Sequence, residues 1–205
     1  MSDKPLTQQR LARDLADLLH VLHGKENFLG FVDAFWKTMA HEWGGIDALR
    51  MDKFLYVVRC YISQGFERVS KRQWADGELL ERYVEILESV PFNATNAKIP
   101  NGLRYHVIEL YVDELDKVDT SRTAPLDEIL APLRKLGEES PAKAVRERVR
   151  EVLNDERLED WQGVHAIDEA SEAASEANDH GGVEAGRSLD EEGPEDGAEF
   201  GGFDD

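Results

Sequence analysis

Cysteine is nearly absent. Cys60 is the one thiol in 205 residues, so no disulfide and no zinc site built on several thiolates can form within a single chain. Long hydrophobic runs are missing too: no stretch approaches the ~20 apolar residues that a membrane-spanning helix needs. The opening MSDKPLTQQRLARDLADLL scatters charges where a secretion signal would be apolar. These absences predict a protein of a reducing compartment inside the cell. They make Cys60 a small core residue and Asn93-Ala94-Thr95 a chance match to a glycosylation sequon. Signatures of common catalytic centres are also lacking. There is no GxSxG elbow, no GxxxxGKS/T loop and no GxGxxG after a strand, and His41-Glu42 does not open an HExxH zinc helix because position 45 is Gly45. His20 and His23 lack a third ligand at suitable spacing. No cofactor, no metal, no small-molecule substrate and no enzymatic activity are expected.

Positive charge is in short supply, with 24 Lys and Arg against 43 Asp and Glu and a net charge of -19. The deficit is concentrated at one end. From Ile167 to Asp205 fourteen acids face the single base Arg187, which accounts for 13 of the 19 negative charges. A segment of Gly, Ser, Ala and acids cannot bury enough apolar surface to offset its ordering entropy. Residues 161–205 are therefore predicted to be a disordered acidic tail that either solubilises the chain or meets a basic partner. Residues 1–160 form the one domain of sufficient apolar content.

Within that domain the apolar spacing is helical. Leu11, Leu15, Leu18, Leu19 and Leu22 mark a first helix from about Leu6 to His23, and Phe28, Phe31, Val32, Phe35, Trp36 and Met39 a second from about Asn27 to Glu42. Gly44-Gly45 turns the chain into a third, Ile46 to about Phe66. Asp76 is placed to cap a fourth that Pro91 stops, and Asn101 to cap a fifth running to about Val118. Pro125 starts a sixth that Pro132 kinks, and Ser140-Pro141 starts a seventh with Val145, Val149, Val152 and Leu153 on one side. Short turns between helices mean antiparallel neighbours. The predicted fold is all-α, a row of helical hairpins in a HEAT-like α-solenoid.

Projected at ~100° per residue, the third helix is apolar over roughly half its circumference, too broad an arc for a surface helix. Arg50 falls inside that arc, and Glu114 falls inside the matching arc of the fifth helix. A buried charge needs a partner, so Arg50 with Glu114 is the expected structural ion pair. Glu42 and Asp47 compete for Arg50, and a snorkelling Arg50 with its head in water is the alternative. Arg59, Arg68, Lys71 and Arg72, with Trp74 beside them and Lys98 and Arg104 around the loop before the fifth helix, form a candidate patch for RNA phosphates and a base face, or for a protein partner.

Two long runs carry a resemblance. VDAFWKTMAHEWGGIDALRMDKFLYVVR and PNGLRYHVIELYVDELDKV, preceded by SDKPLTQQRLARDLADLLH, resemble the ribosomal RNA processing protein 1 family of eukaryotic nucleolar proteins over about residues 2–118. The resemblance implies a helical, non-catalytic scaffold of the large (60S) subunit precursor in the nucleus and nucleolus. Its implied partners are pre-60S assembly factors and pre-rRNA. It also implies a further helical segment ahead of the SDKP run, absent from this sequence, and hence an uncovered apolar face on the first helices. The competing expectation is a general helical-repeat adaptor with no ribosomal role.

Overall fold

The computed structural model describes residues 4–161. Apart from Trp161, the predicted acidic tail lies outside these residues. Seven α-helices follow one another: α1 (Pro5–Val21), α2 (Lys25–Glu42), α3 (Ala48–Val69), α4 (Gly77–Ser89), α5 (Asn101–Val118), α6 (Leu126–Glu139) and α7 (Lys143–Leu153). A 3-10 turn, Trp43–Gly45, separates α2 from α3, and residues 157–161 are again helical. Among the described residues there is no strand.

The helices stack in two rows. α1 packs on α3, α3 on α5 and α5 on α7, while α2 packs on α4 and α4 on α6. Side-chain pairs give the register within the first row. Leu15 meets Tyr61 and His20 meets Gln64 between α1 and α3; Leu55 meets His106 and Arg59 meets Glu114 between α3 and α5. The residue numbers rise together, so helices of one row run parallel and the intervening row runs back. This is the α-solenoid of antiparallel hairpins that the helical periodicity predicts.

Local chemistry sets the helix ends. Asp76 caps α4 as expected, its carboxylate accepting from the Leu79 amide at 3.2 Å. α3 starts two residues later than predicted because Ile46 is extended and closes the 3-10 turn, which leaves Asp47 to cap the helix. Pro100 rather than Asn101 takes the cap position of α5, freeing the Asn101 side chain to accept from Arg104. α7 begins at Lys143, past the predicted Ser140-Pro141 start, and α6 continues through Pro132.

The core is a chain of aromatic contacts across the two rows. Phe28 stacks near Tyr83, Tyr83 meets Phe66 edge-on, Phe66 meets Tyr111, and Tyr111 meets Phe92. Gly65 is required where α3 crosses α4, since a Cβ there would collide with the Tyr83 ring. The folded body also runs past the predicted boundary at residue 160. Trp161 is 0% exposed; its indole N–H donates to Asp119 at 2.7 Å and its ring lies 3.9 Å from the Arg122 guanidinium. One large apolar side chain at the end of the acidic segment is enough to move that boundary.

Candidate nucleic-acid interface

Arg68, Lys71 and Arg72 gather where α3 ends. Burial of Trp74 (7% exposed) pulls the exit turn into an unusual path: Arg72, Gln73 and Trp74 have φ of 59°, 56° and 62°. Left-handed backbone at a residue with a side chain costs about 1–2 kcal/mol. Burying an indole and forming the 3.2 Å bond from the Trp74 amide to the Ser70 carbonyl offset that cost. The turn presents Lys71 and Arg72 to solvent and keeps Trp74 away from it. The expected stacking surface is therefore an anchor, because its indole fills the core.

With Lys25, Val69 and Leu79 these cations line an open groove of about 460 Å³. Lys25 is held by Asp76 and Glu78 at 2.7 and 2.9 Å. Among the described residues Arg68, Lys71 and Arg72 have no carboxylate within 4.0 Å, unlike Arg59, Arg82, Arg148 and Arg157, although Asp76 lines the same groove. Arg68 is half-buried, its guanidinium 5.8 Å from the Phe28 ring centre and its Nε without a partner. Lys71 Nζ lies 3.3 Å from His20 Nδ1. Cations without a carboxylate partner among the described residues, gathered on an acidic protein, make this groove the candidate site for an anion.

The structure separates the remaining predicted contacts from this groove. Arg59 is committed to Glu114 (2.7 Å) and Asp113 (3.5 Å). Arg104 is 5% exposed and donates to the carbonyls of Asn93, Asn96 and Ile99, so it ties down the loop before α5. Burial holds its pKa below the ordinary arginine value. Lys98 is exposed on that loop, without an ion-pair partner among the described residues. Sequence reasoning missed Lys25 and His20, which belong to earlier helices and reach the patch through the stacking of α1 and α2 on α3 and α4.

The expected pair of Arg50 with Glu114 is corrected. Arg50 is exposed and pairs with Asp47 at 2.5 Å, the competitor named from the sequence. Glu114 is buried as expected (3% exposed), but Arg59 and Lys117 hold it, each at 2.7 Å. The reason is register. α3 and α5 run parallel with Leu55 beside His106, so Glu114 lies level with Arg59, about 13 Å along α3 from Arg50. A helical projection gives the angle of a residue and not its height.

Stacked antiparallel helical hairpins define an all-α protein. No group of three His, Cys, Asp or Glu that could hold a metal occurs among the described residues. A family model, Nucleolar protein Nop52, matches residues 1–192, and the chain belongs to that family of nucleolar proteins. It is 40% identical over 118 residues to ribosomal RNA processing protein 1 homolog A of Mus musculus, covering 58% of this chain and 24% of that protein. The Homo sapiens homolog A is 36% identical over 118 residues, with 58% and 25% covered. The Dictyostelium discoideum homolog is 27% identical over 170 residues, with 72% and 34% covered. The resemblance carried by the three sequence runs is thus borne out, and the chain spans about a quarter of the mouse and human relatives' length.

Proposed function

We propose that this chain is a non-catalytic scaffold factor in nucleolar rRNA processing, acting in assembly of the large ribosomal subunit precursor. Its stacked helices offer surface to pre-60S assembly factors, and the groove of Arg68, Lys71 and Arg72 meets the phosphates of pre-rRNA. The reading rests on family membership together with the names of the relatives. The observation that carries the RNA contact is the set of three adjacent cations without carboxylate partners among the described residues, since phosphate contacts supply affinity without demanding a base-reading surface. Arg59, Arg104 and Trp74 serve the fold, and Lys98 is a peripheral contact at most.

The experiment is fractionation of nucleolar extract with the full chain tagged. Co-sedimentation with large-subunit precursors, and recovery of assembly factors and precursor rRNA with the tag, are expected. Migration only in light fractions would overturn the reading in favour of an adaptor without a ribosomal role.

A further inference from the structure

A second groove, of about 330 Å³, opens between α1, α3 and α5 and is lined by Arg13, Asp17, Tyr56, Ser63, Glu114 and Lys117, among others. Its hydrogen-bonding capacity is unfilled in both senses. Arg13 uses one N–H, donating to the Tyr56 hydroxyl at 3.2 Å, and Asp17 has no ion-pair or hydrogen-bond partner among the described residues. At the base, the Glu114 side chain is 4% exposed and its Oε1 accepts from both Arg59 and Lys117.

The mixture of charges selects the ligand. Asp17 and Glu114 disfavour a bare anion, and Arg13, Arg59 and Lys117 disfavour a cation. What fits is a neutral planar group carrying donors and acceptors together. The groove is far roomier than a side-chain amide requires and suits a nucleobase. Guanine matches best among the bases: its N1–H and N2 amino group donate to carboxylates, while O6 and N7 accept from arginine. Tyr56 on the wall supplies an aromatic ring of the kind that supports unpaired bases in RNA recognition.

Position supports the same conclusion. His20 hydrogen-bonds Gln64, which lines this groove, and lies beside Lys71 of the cationic groove. Ser63 and Lys71 are eight residues apart on one helix and its exit turn, about 12 Å at helical rise, so a single strand can lie across both. We infer that the groove between α1, α3 and α5 holds an unpaired guanine of the RNA whose phosphates rest on Arg68, Lys71 and Arg72. This rests on the RNA reading proposed above.

The test is fluorescence anisotropy of the full chain with single-stranded oligouridylates of about 12 nucleotides, carrying one central guanine, adenine, inosine or uracil. The guanine strand is expected to bind about tenfold tighter than the adenine and uracil strands, with inosine, which lacks the N2 amino group, in between. Arg13→Ala and Asp17→Ala, both at exposed positions, should remove the guanine preference and leave the oligouridylate affinity within about twofold. Arg68→Glu with Lys71→Glu and Arg72→Glu should weaken all four strands together. Equal binding of the four strands by the wild-type chain would overturn the base site, leave the phosphate contact standing, and assign the groove to a protein amide. Absence of binding to every strand would overturn both readings.

Discussion

The two ends of the helical stack are finished differently. At the C-terminal end every large apolar side chain of α6 is covered, and the turn between α5 and α6 closes on one carboxylate. Asp119 accepts from the Trp161 indole and the Ala124 amide, each at 2.7 Å, and from Ser121 and Thr123 at 3.1 and 3.3 Å. Arg157 joins Asp113, Asp116 and Asp155 beside it. At the other end α1 buries only Ala12, Ala16 and Leu19, while Leu11, Leu15 and Leu18 are 51%, 40% and 40% exposed, Val21 65% and Leu6 79%. Solenoids need polar terminal faces to stay soluble. The contrast shows that the described stack is closed over at one end and leaves apolar side chains exposed at the other.

Substitutions at the capped end should have the largest effects. Trp161→Ala removes a fully buried indole and is expected to destabilise the fold by about 3–5 kcal/mol, read as a loss of denaturation midpoint at unchanged m. An unchanged midpoint would place the end of the folded body back at residue 160. Next is Asp119→Asn. Trp161 Nε1 and the Ala124 amide both donate to Oδ2, a position the Asn oxygen can keep, while its amide group would donate to the Ser121 and Thr123 hydroxyls; what is lost is the charge that strengthens these bonds. About 1–3 kcal/mol should be lost.

The same carboxylate carries a pH dependence. Burial alone would raise the Asp119 pKa, but the bonds from Trp161, Ala124, Thr123 and Ser121 outweigh it and hold the group below the ordinary carboxylate range. A pKa depressed in the folded state stabilises above the unfolded value, near ~3.9, and that contribution disappears as pH falls through the folded value. Urea titrations should therefore show the difference between wild-type and Asp119→Asn protein narrowing below about pH 4. A constant difference would remove Asp119 as the titrating clasp.

The bare end gives the smallest effect and the sharpest contrast. Leu133→Ala, in the buried face of α6, should cost about 2–5 kcal/mol; Leu15→Ala on α1 should stay within about 0.5 kcal/mol. Equal losses at the two positions would mean that something covers α1 in solution.

Helix count and most boundaries were legible because the apolar residues repeat at helical spacing and Gly44-Gly45, Asp76 and Pro91 punctuate them. The parallel registers within a row were not. They depend on contacts such as Leu55 with His106 that no local pattern encodes, and for that reason Arg50 was matched to the wrong acid while Glu114 was correctly seen as buried. The basic segment was visible as a run of residue types. Which of its members are free was not, because freedom is decided by distant acids: Arg59 is claimed by α5, and Arg104 by the carbonyls of its own preceding loop. Trp161 was overlooked because acidic composition dominated the reading of its neighbourhood, whereas one indole with a buried carboxylate partner suffices to order it.

The most direct test of the account is ultraviolet crosslinking of the full chain to precursor rRNA in purified large-subunit precursors, comparing wild type with the Arg68→Glu, Lys71→Glu, Arg72→Glu variant. Lys71 and Arg72 are exposed, so a Lys71→Glu, Arg72→Glu pair should hold its melting temperature even where the half-buried Arg68 costs stability in the triple variant, and in both the crosslink yield should fall about tenfold or more. An undiminished yield would contradict the claim that the unpaired cations at the end of α3 are where this protein meets RNA.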